Sequence, residues 1–213
     1  MGRGVTIALN GIVWKAMAVA WFVKHLHSPI CYRLSAVLGS ILVIIFAQGV
    51  RVFHITQETA ADWWEVEALY DLCFAPGRTA LSSYRLRESV DPVPELSLIA
   101  RDPDHILAGA IRHWPVRIGN DYALLLGPVA VHPTRQGEGL GGLLIRESIQ
   151  IASAIGWERI FLVGDAPYYS RFGFRKLSDV IMPHPTNPDR VLGLALRNNA
   201  WAGLKGAVEK SEI

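Results

Sequence analysis

The sequence predicts a mixed α/β fold, with a mostly antiparallel central sheet and helices on both of its faces. Three observations carry this reading. From residue 51 onward, strand-like and helix-like segments follow in the order strand, helix, helix, three strands, helix, strand, helix and strand. Gly119-Asn120 joins two long apolar runs as a hairpin turn would. The second of those runs ends in a glycine-rich turn that leads directly into a helical pattern. Hydrophobic residues make up 51% of the chain and charged ones 19%, enough to bury a sizeable core.

Each element has a local reason. Val52 to Ile55 alternates and reads as a short strand. Thr56 can cap a helix from about Glu58 to Phe74, with Glu58 and Asp62 at its positive end, and Pro76-Gly77 breaks it. Leu81 to Glu88 reads as a second, shorter helix, and Asp91-Pro92-Val93-Pro94 as a loop. Strands are expected over Leu96 to Arg101, Ile106 to Ile118 and Tyr122 to Val131, the last apolar enough to be central. Leu143, Leu144, Ile151 and Ile155 stand at helical spacing within a helix from about Gly141 to Ile155, with Gly156 as its C-terminal cap. Arg159 to Gly164 reads as a buried strand, Pro167 to Phe172 as a short helix and Val191 to Arg197 as a last strand. Residues 201–213 read as a tail with little pattern of their own.

Residues 1–50 differ in kind. Leu34 to Val50 has no charged residue, and acidic residues are absent from Met1 through Thr56. The excess of apolar residues there raises the mean hydropathy of the whole chain to +0.25. Three readings stay open. Residues 34–50 could anchor the chain in a membrane, at the lower length limit for a spanning helix. The segment could be a targeting peptide, although it is long and its apolar block starts late. Or translation starts downstream, at a GUG codon read here as Val50 or Val52, and the segment is no part of the native protein. The organisation expected is thus a hydrophobic extension over 1–50, one domain over 51–200 and a tail over 201–213.

Net charge is +2, from 21 basic and 19 acidic groups, a balance that argues against nucleic acid as a partner. Cys31 and Cys73 are too few for a disulfide framework or a metal cluster, and they suit a reducing, cytoplasmic compartment. No metal-ligand spacing occurs, so no metal is expected.

The chemistry concentrates in Val129-Ala130-Val131-His132-Pro133-Thr134-Arg135-Gln136-Gly137-Glu138-Gly139-Leu140-Gly141-Gly142. A buried strand feeds a glycine-rich turn at a helix N-terminus. Unpaired backbone N–H groups and the helix dipole favour an anion there, and glycines let it approach closely. Anion binding is therefore expected at Gln136, Gly137, Glu138, Gly139, Leu140, Gly141 and Gly142. The segment lacks the lysine of a nucleotide P-loop. Gly137-x-Gly139-x-x-Gly142 has dinucleotide-binding spacing, but it follows several antiparallel strands, and Ile160 to Val163 carries no acid for a ribose.

Gln136-x-x-Gly139-x-Gly141 resembles the [RQ]-x-x-G-x-[GA] signature of the GNAT superfamily of acyl-CoA N-acyltransferases. Downstream, Tyr169-Ser170-Arg171-Phe172-Gly173-Phe174 resembles that family's Y-x-x-x-G-F segment, in the right order and at a compatible distance. The run from Val163 to Phe174 looks like one bacterial subgroup of predicted N-acetyltransferases. The resemblance implies a GNAT fold over residues 51 to about 197, with acetyl-CoA as co-substrate and its pyrophosphate on the glycine loop. It also implies a splayed strand, here Val129, Ala130 and Val131, whose backbone holds the pantetheine arm. The implied reaction is direct attack of a primary amine, small-molecule or peptide, on the thioester, with Tyr169 as general acid. Family members are often homodimers, which makes a homodimer an expectation here. A GNAT-fold module that senses acyl-CoA without turnover is the alternative.

No base is evident for the amine. Asp165, Glu95, His113 and His132 are candidates, beside water. Asp165 departs from the asparagine some family members place in this region. Arg78, Arg85 and Arg87 stand near Tyr84 in a segment that often covers the acceptor site in this fold, where they would suit an acidic group on a substrate. Trp114-Pro115 either lines the acceptor groove or only sits in a strand, and Trp63-Trp64 is expected to place one ring in the core and one at the surface.

Overall fold

The computed structural model describes residues 53–74 and 76–211. The hydrophobic stretch over 1–50 and the candidate start sites Val50 and Val52 lie outside them. The sheet is mixed and mostly antiparallel. Strands β1 (His54–Gln57), β2 (Leu98–Arg101), β3 (Leu107–Ile118) and β4 (Asp121–Val131) pair antiparallel in sequence order. Gly119, at φ +60°, takes the positive-φ position of the turn joining β3 to β4. Helix α3 (Leu140–Ala154) then crosses over to β5 (Arg159–Val163), which pairs parallel to β4. Past β5 the sheet continues with β8 (Val191–Ala195) and β6 (Arg175–Lys176), both antiparallel additions.

Alternation along the central strands sorts the core into two faces. Leu124, Leu126, Ile160 and Leu162 pack with Leu140, Leu144 and Ile145 of α3. Ala123, Leu125 and Phe161 point the other way, into a cluster with Val116, Ile118 and Val208. On that second face Val66, Leu69 and Tyr70 of helix α1 (Trp63–Phe74) cover Ile99, Ala110 and Ala130. Each fully buried Leu or Ile contributes about 1.5–3 kcal/mol through loss of apolar contact with water.

Several boundaries differ from those the sequence suggests. Thr56 does not cap a helix. It pairs with Ile99, and Gln57 with Leu98, so β1 runs further than expected. Glu58 is drawn away from the helix by Arg112, whose guanidinium binds both its carboxylate oxygens. The capping residue is Thr59, which forms a capping box with Asp62 ahead of α1. Helix α2 is only Ser82–Arg85. Trp63 and Trp64 are both exposed, touching edge to face at 4.6 Å, because the buried stripe of α1 starts after them at Val66.

The presumed tail belongs to the sheet. Strand β9 (Gly206–Lys210) pairs with the C-terminal half of β3, on the edge that β2 leaves open, and with β7 (Val180–Ile181). Strands β6 and β7 have two residues each, too short to show a periodic pattern.

Candidate active site

The site begins where β4 and β5 part. Their parallel pairing is confined to Leu124 opposite Ile160 and Leu125 opposite Phe161. Immediately beyond, β4 bulges: Leu126 faces His113 and Val129 faces Ile111, so Gly127 and Pro128 together oppose Arg112. Gly127 sits at φ +120°, open to glycine and costly for other residues. A Gly-Pro pair inside an apolar strand is the sequence signal for this break. Past the bulge, Val129, Ala130 and Val131 pair with β3 alone. The His132 N–H bonds Ala108 O at 2.8 Å, so by alternation Ala130 exchanges bonds with Ala110. Val129 and Val131 therefore turn their N–H groups toward the gap. The Val131 carbonyl accepts from Gln136 Nε2 at 3.3 Å and Cys73 Sγ at 3.4 Å.

The glycine loop continues from this edge. A 3-10 turn over Pro133–Arg135 is capped by the His132 ring, whose Nδ1 lies 2.8 Å from Thr134 Oγ1. Gly137 and Gly139 take φ +82° and +79°, and Gly139 is the N-cap of α3. The Leu143 N–H makes the bond to Gly139 O at 3.1 Å, so the N–H groups of Leu140, Gly141 and Gly142 precede the helical ladder. With the helix dipole they form an anion cradle, and apart from the adjoining residues no atom stands within 4 Å of where a side chain at Gly137 or Gly139 would begin. Arg135 is turned away to Asp102.

Helix α4 (Ala166–Tyr169) follows β5 and places two tyrosines on different parts of the site. The Tyr168 hydroxyl reaches the loop, 3.2 Å from where a Gly141 Cβ would lie. Its ring is stacked under Arg171, whose guanidinium carbon is 4.0 Å from the centroid. Tyr169 lies against Gly164 and lines a cavity of about 160 Å³ together with Gly127, Pro128, Val129 and Leu162. Burial, with smaller contributions from Tyr168 and Asp165, pushes its phenol up to about 12.

A wall of arginines closes the other side. Arg78 is buried and binds Glu67, Asp71 at 2.7 Å and the Tyr84 hydroxyl at 2.7 Å. Arg112, also buried, binds Glu58 and Glu67. Arg87 borders both the first cavity and a larger one of about 410 Å³, which Trp114 also lines. Of the three arginines near Tyr84 in sequence, Arg78 and Arg87 thus face the first cavity, and Arg85 only the second. Arg112 and its carboxylate partners went unseen in the sequence, since the paired positions lie 54 and 45 residues apart.

The four candidate bases line neither cavity. Asp165 is exposed and pairs with Arg190 at 3.1 Å, while its carbonyl accepts from Tyr168 and Tyr169 N–H. Glu95 is exposed in a 3-10 turn. His132 caps a turn. His113 is fully buried, with Nδ1 on Leu96 O at 3.2 Å. Among the described residues no cluster of metal-binding side chains occurs, and no helix is long and apolar enough to cross a membrane.

The chain is similar to known proteins. The acetyltransferase (GNAT) domain profile matches residues 94–176, which run from the approach to β2 through β6. The chain is 35% identical over 127 residues to an uncharacterized N-acetyltransferase, YjhQ, of Escherichia coli, covering 57% of this chain and 68% of that one. A second Escherichia coli relative, the uncharacterized N-acetyltransferase YhbS, is 28% identical over 151 residues, covering 69% and 89%. The crystal structure of YhbS in complex with CoA superposes with a TM-score of 0.66 at 26% identity, over 74% of this chain and 89% of that one. A GNAT family acetyltransferase from Brucella melitensis in complex with acetyl-CoA superposes with a TM-score of 0.57 at 29% identity, over 75% and 96%. With this identity and coverage, and with the splayed strands and glycine loop in place, the chain belongs to the GNAT family of N-acetyltransferases.

Proposed function

We propose that this protein transfers the acetyl group of acetyl-CoA to a primary amine by direct attack. One observation carries the reading: the edge of β4 that lacks a partner begins at the cavity lined by Tyr169 and Val129 and runs on in sequence into the glycine loop at the start of α3. The relatives solved with CoA and acetyl-CoA support the choice of co-substrate. The residues fit it. Gln136, Gly137, Glu138, Gly139, Leu140, Gly141 and Gly142 form the cradle for the pyrophosphate. Val129, Ala130 and Val131 supply the edge along which a pantetheine amide can add as a short strand would.

In this reading the amine enters the cavity beside Val129 in its neutral form. Its nitrogen forms a bond to the thioester carbonyl carbon, and the Val129 N–H faces the oxygen on which negative charge develops. As the carbon–sulfur bond breaks, Tyr169 donates its proton to the departing thiolate, and solvent restores it. The amine gives up its own proton to water, since none of the candidate bases lines the cavity. Burial keeps the phenol protonated throughout the physiological range, so the proton is in place when the thiolate departs. Cys73 as a free thiol suits a cytoplasmic location, which is part of this reading. So is a domain that begins near residue 51 and runs through β9.

Thermal stability with acetyl-CoA, CoA and NAD tests the proposal. Ligand at 100 times its dissociation constant should add about 2.7 kcal/mol. A shift with acetyl-CoA and CoA but not NAD is expected, followed by thiol release when a panel of amines is added. Absence of a shift on folded protein would remove the proposal. Binding with no turnover of any amine would favour the acyl-CoA-sensing module.

A further inference from the structure

Among the described residues, the acceptor side of the gap holds a cation without a counter-ion. Arg78 and Arg112 share three carboxylates, Glu58, Glu67 and Asp71. Arg87 stands in the same wall and forms no ion pair with any described residue, and its Nε is buried with no hydrogen-bond partner. The guanidinium is held against aromatic faces instead, 4.6 Å from the Tyr84 centroid and 5.8 Å from that of Trp114. It borders both cavities. It also lies beside the β4 bulge, where a Cβ on Gly127 would be 3.6 Å from its Nη2. The same Cβ would be 4.0 Å from the Val129 nitrogen.

Arg87 is half-buried with its Nε out of reach of water and no anion beside it among the described residues, and its planar fork matches a carboxylate in two parallel hydrogen bonds. The described carboxylates nearby do not fill that role. Glu67 is taken by Arg78 and Arg112, and Glu88, which borders the larger cavity, pairs with Lys210 at 3.2 Å. Burial lowers the Arg87 pKa to about 10, which leaves the group cationic at neutral pH.

We propose that the acceptor is an amine that also carries a carboxylate, and that Arg87 receives the carboxylate while the amine stands beside Val129 and Tyr169. The inference rests on the acetyltransferase reading above and names its substrate class.

The test uses matched pairs of amines on the full chain: glycine, β-alanine, 4-aminobutyrate, 5-aminovalerate and phenylalanine, each against its carboxamide. Thiol release gives kcat/KM, and thermal stability of the acetyl-CoA-loaded protein reports binding independently of turnover. The acids should be preferred over their amides by about 10- to 100-fold for at least one pair, the range a charge-assisted hydrogen bond supplies. Arg87→Gln should bring that ratio close to one, and Arg87→Lys, which keeps the charge without the fork, should leave it in between. Stabilisation by acetyl-CoA should persist in both variants, showing that they fold. Equal or better use of the amides, or no acid stabilising the loaded protein more than its amide, would overturn the inference and leave the acetyltransferase reading intact. Failure of acetyl-CoA to stabilise the wild-type chain would sink both.

Discussion

The Tyr169 ring lies so close to Gly164 that a Cβ at position 164 would stand 2.4 Å from a ring carbon. No real side chain tolerates that approach, so the ring or the β5 terminus must move if position 164 gains a methyl group. Gly164 is also tied to the Arg190 carbonyl at 2.9 Å, which limits movement of the backbone. The ring is the part that yields. Gly164→Ala should therefore displace the hydroxyl from the cavity, lowering kcat by roughly 10- to 100-fold, at a stability cost of about 1–3 kcal/mol. Acetyl-CoA affinity should hold, since the glycine loop lies on another element. A variant with unchanged kcat would show that the position of Tyr169 is immaterial to the reaction.

Tyr169→Phe separates donation of a proton from packing. The ring keeps its contacts with Phe174 and Tyr168, at 5.9 and 4.9 Å, so folding should be preserved. Loss of the acid should lower kcat by about 10²- to 10⁴-fold with little change in acetyl-CoA binding. The pH profile adds a sign. A general acid fails once pH passes its pKa, and burial raises this one from 10.0 to about 12. In the wild type kcat should rise as the amine loses its proton and then stay level past pH 10. A falling limb with its midpoint below 10 would assign the proton to another group.

Gly139→Ala probes the loop. At φ +79° an alanine pays about 1–2 kcal/mol of backbone strain, and nothing nearby obstructs its methyl group. The methyl group enters the space an anion would use, so the acetyl-CoA dissociation constant should rise about tenfold or more, beyond the loss in stability. Isothermal titration against the melting temperature distinguishes the two effects. An unchanged dissociation constant would place the pyrophosphate elsewhere.

How much of this was legible in the sequence follows from the range of the interactions. The strand, loop and helix of the cradle are contiguous, so Gln136 to Gly142 declare themselves through local backbone needs. Tyr169 is found through the segment it shares with a family. The arginine wall is different, because Arg112 meets Glu58 and Glu67 only after β3 is set beside the start of α1. That meeting also explains the misplaced helix start: Glu58 suits a helix N-terminus by propensity, but a buried guanidinium binds it more strongly. Strand β9 was missed for a related reason, since Val208 is the one large apolar side chain among its five residues and the edge of β3 decides their conformation. That Arg87 has no ion-pair partner among the described residues could not be read at all, because an absent partner leaves no mark in a sequence.

His113 offers a test of the core that is independent of catalysis. The ring is fully buried on β3, with Nδ1 on the Leu96 carbonyl and Nε2 without a partner among the described residues. Burial pulls its pKa down from 6.5 to about 4, a change that the Leu96 bond only partly opposes. Below pH 6.5 the unfolded chain takes up a proton that the folded chain refuses. Stability is therefore whole above that pH and declines as pH falls to about 4, by on the order of 3 kcal/mol. Asp62 responds in a lower window. Burial raises its pKa, but bonds from Thr59 and Arg101 outweigh this and hold it below the ordinary carboxylate value, so its share is lost only at still lower pH. Urea unfolding at intervals from pH 7.5 to 4.5 should show the decline, and His113→Gln, which cannot take up the proton, should flatten it. An equal slope in the variant would assign the acid sensitivity to groups other than His113.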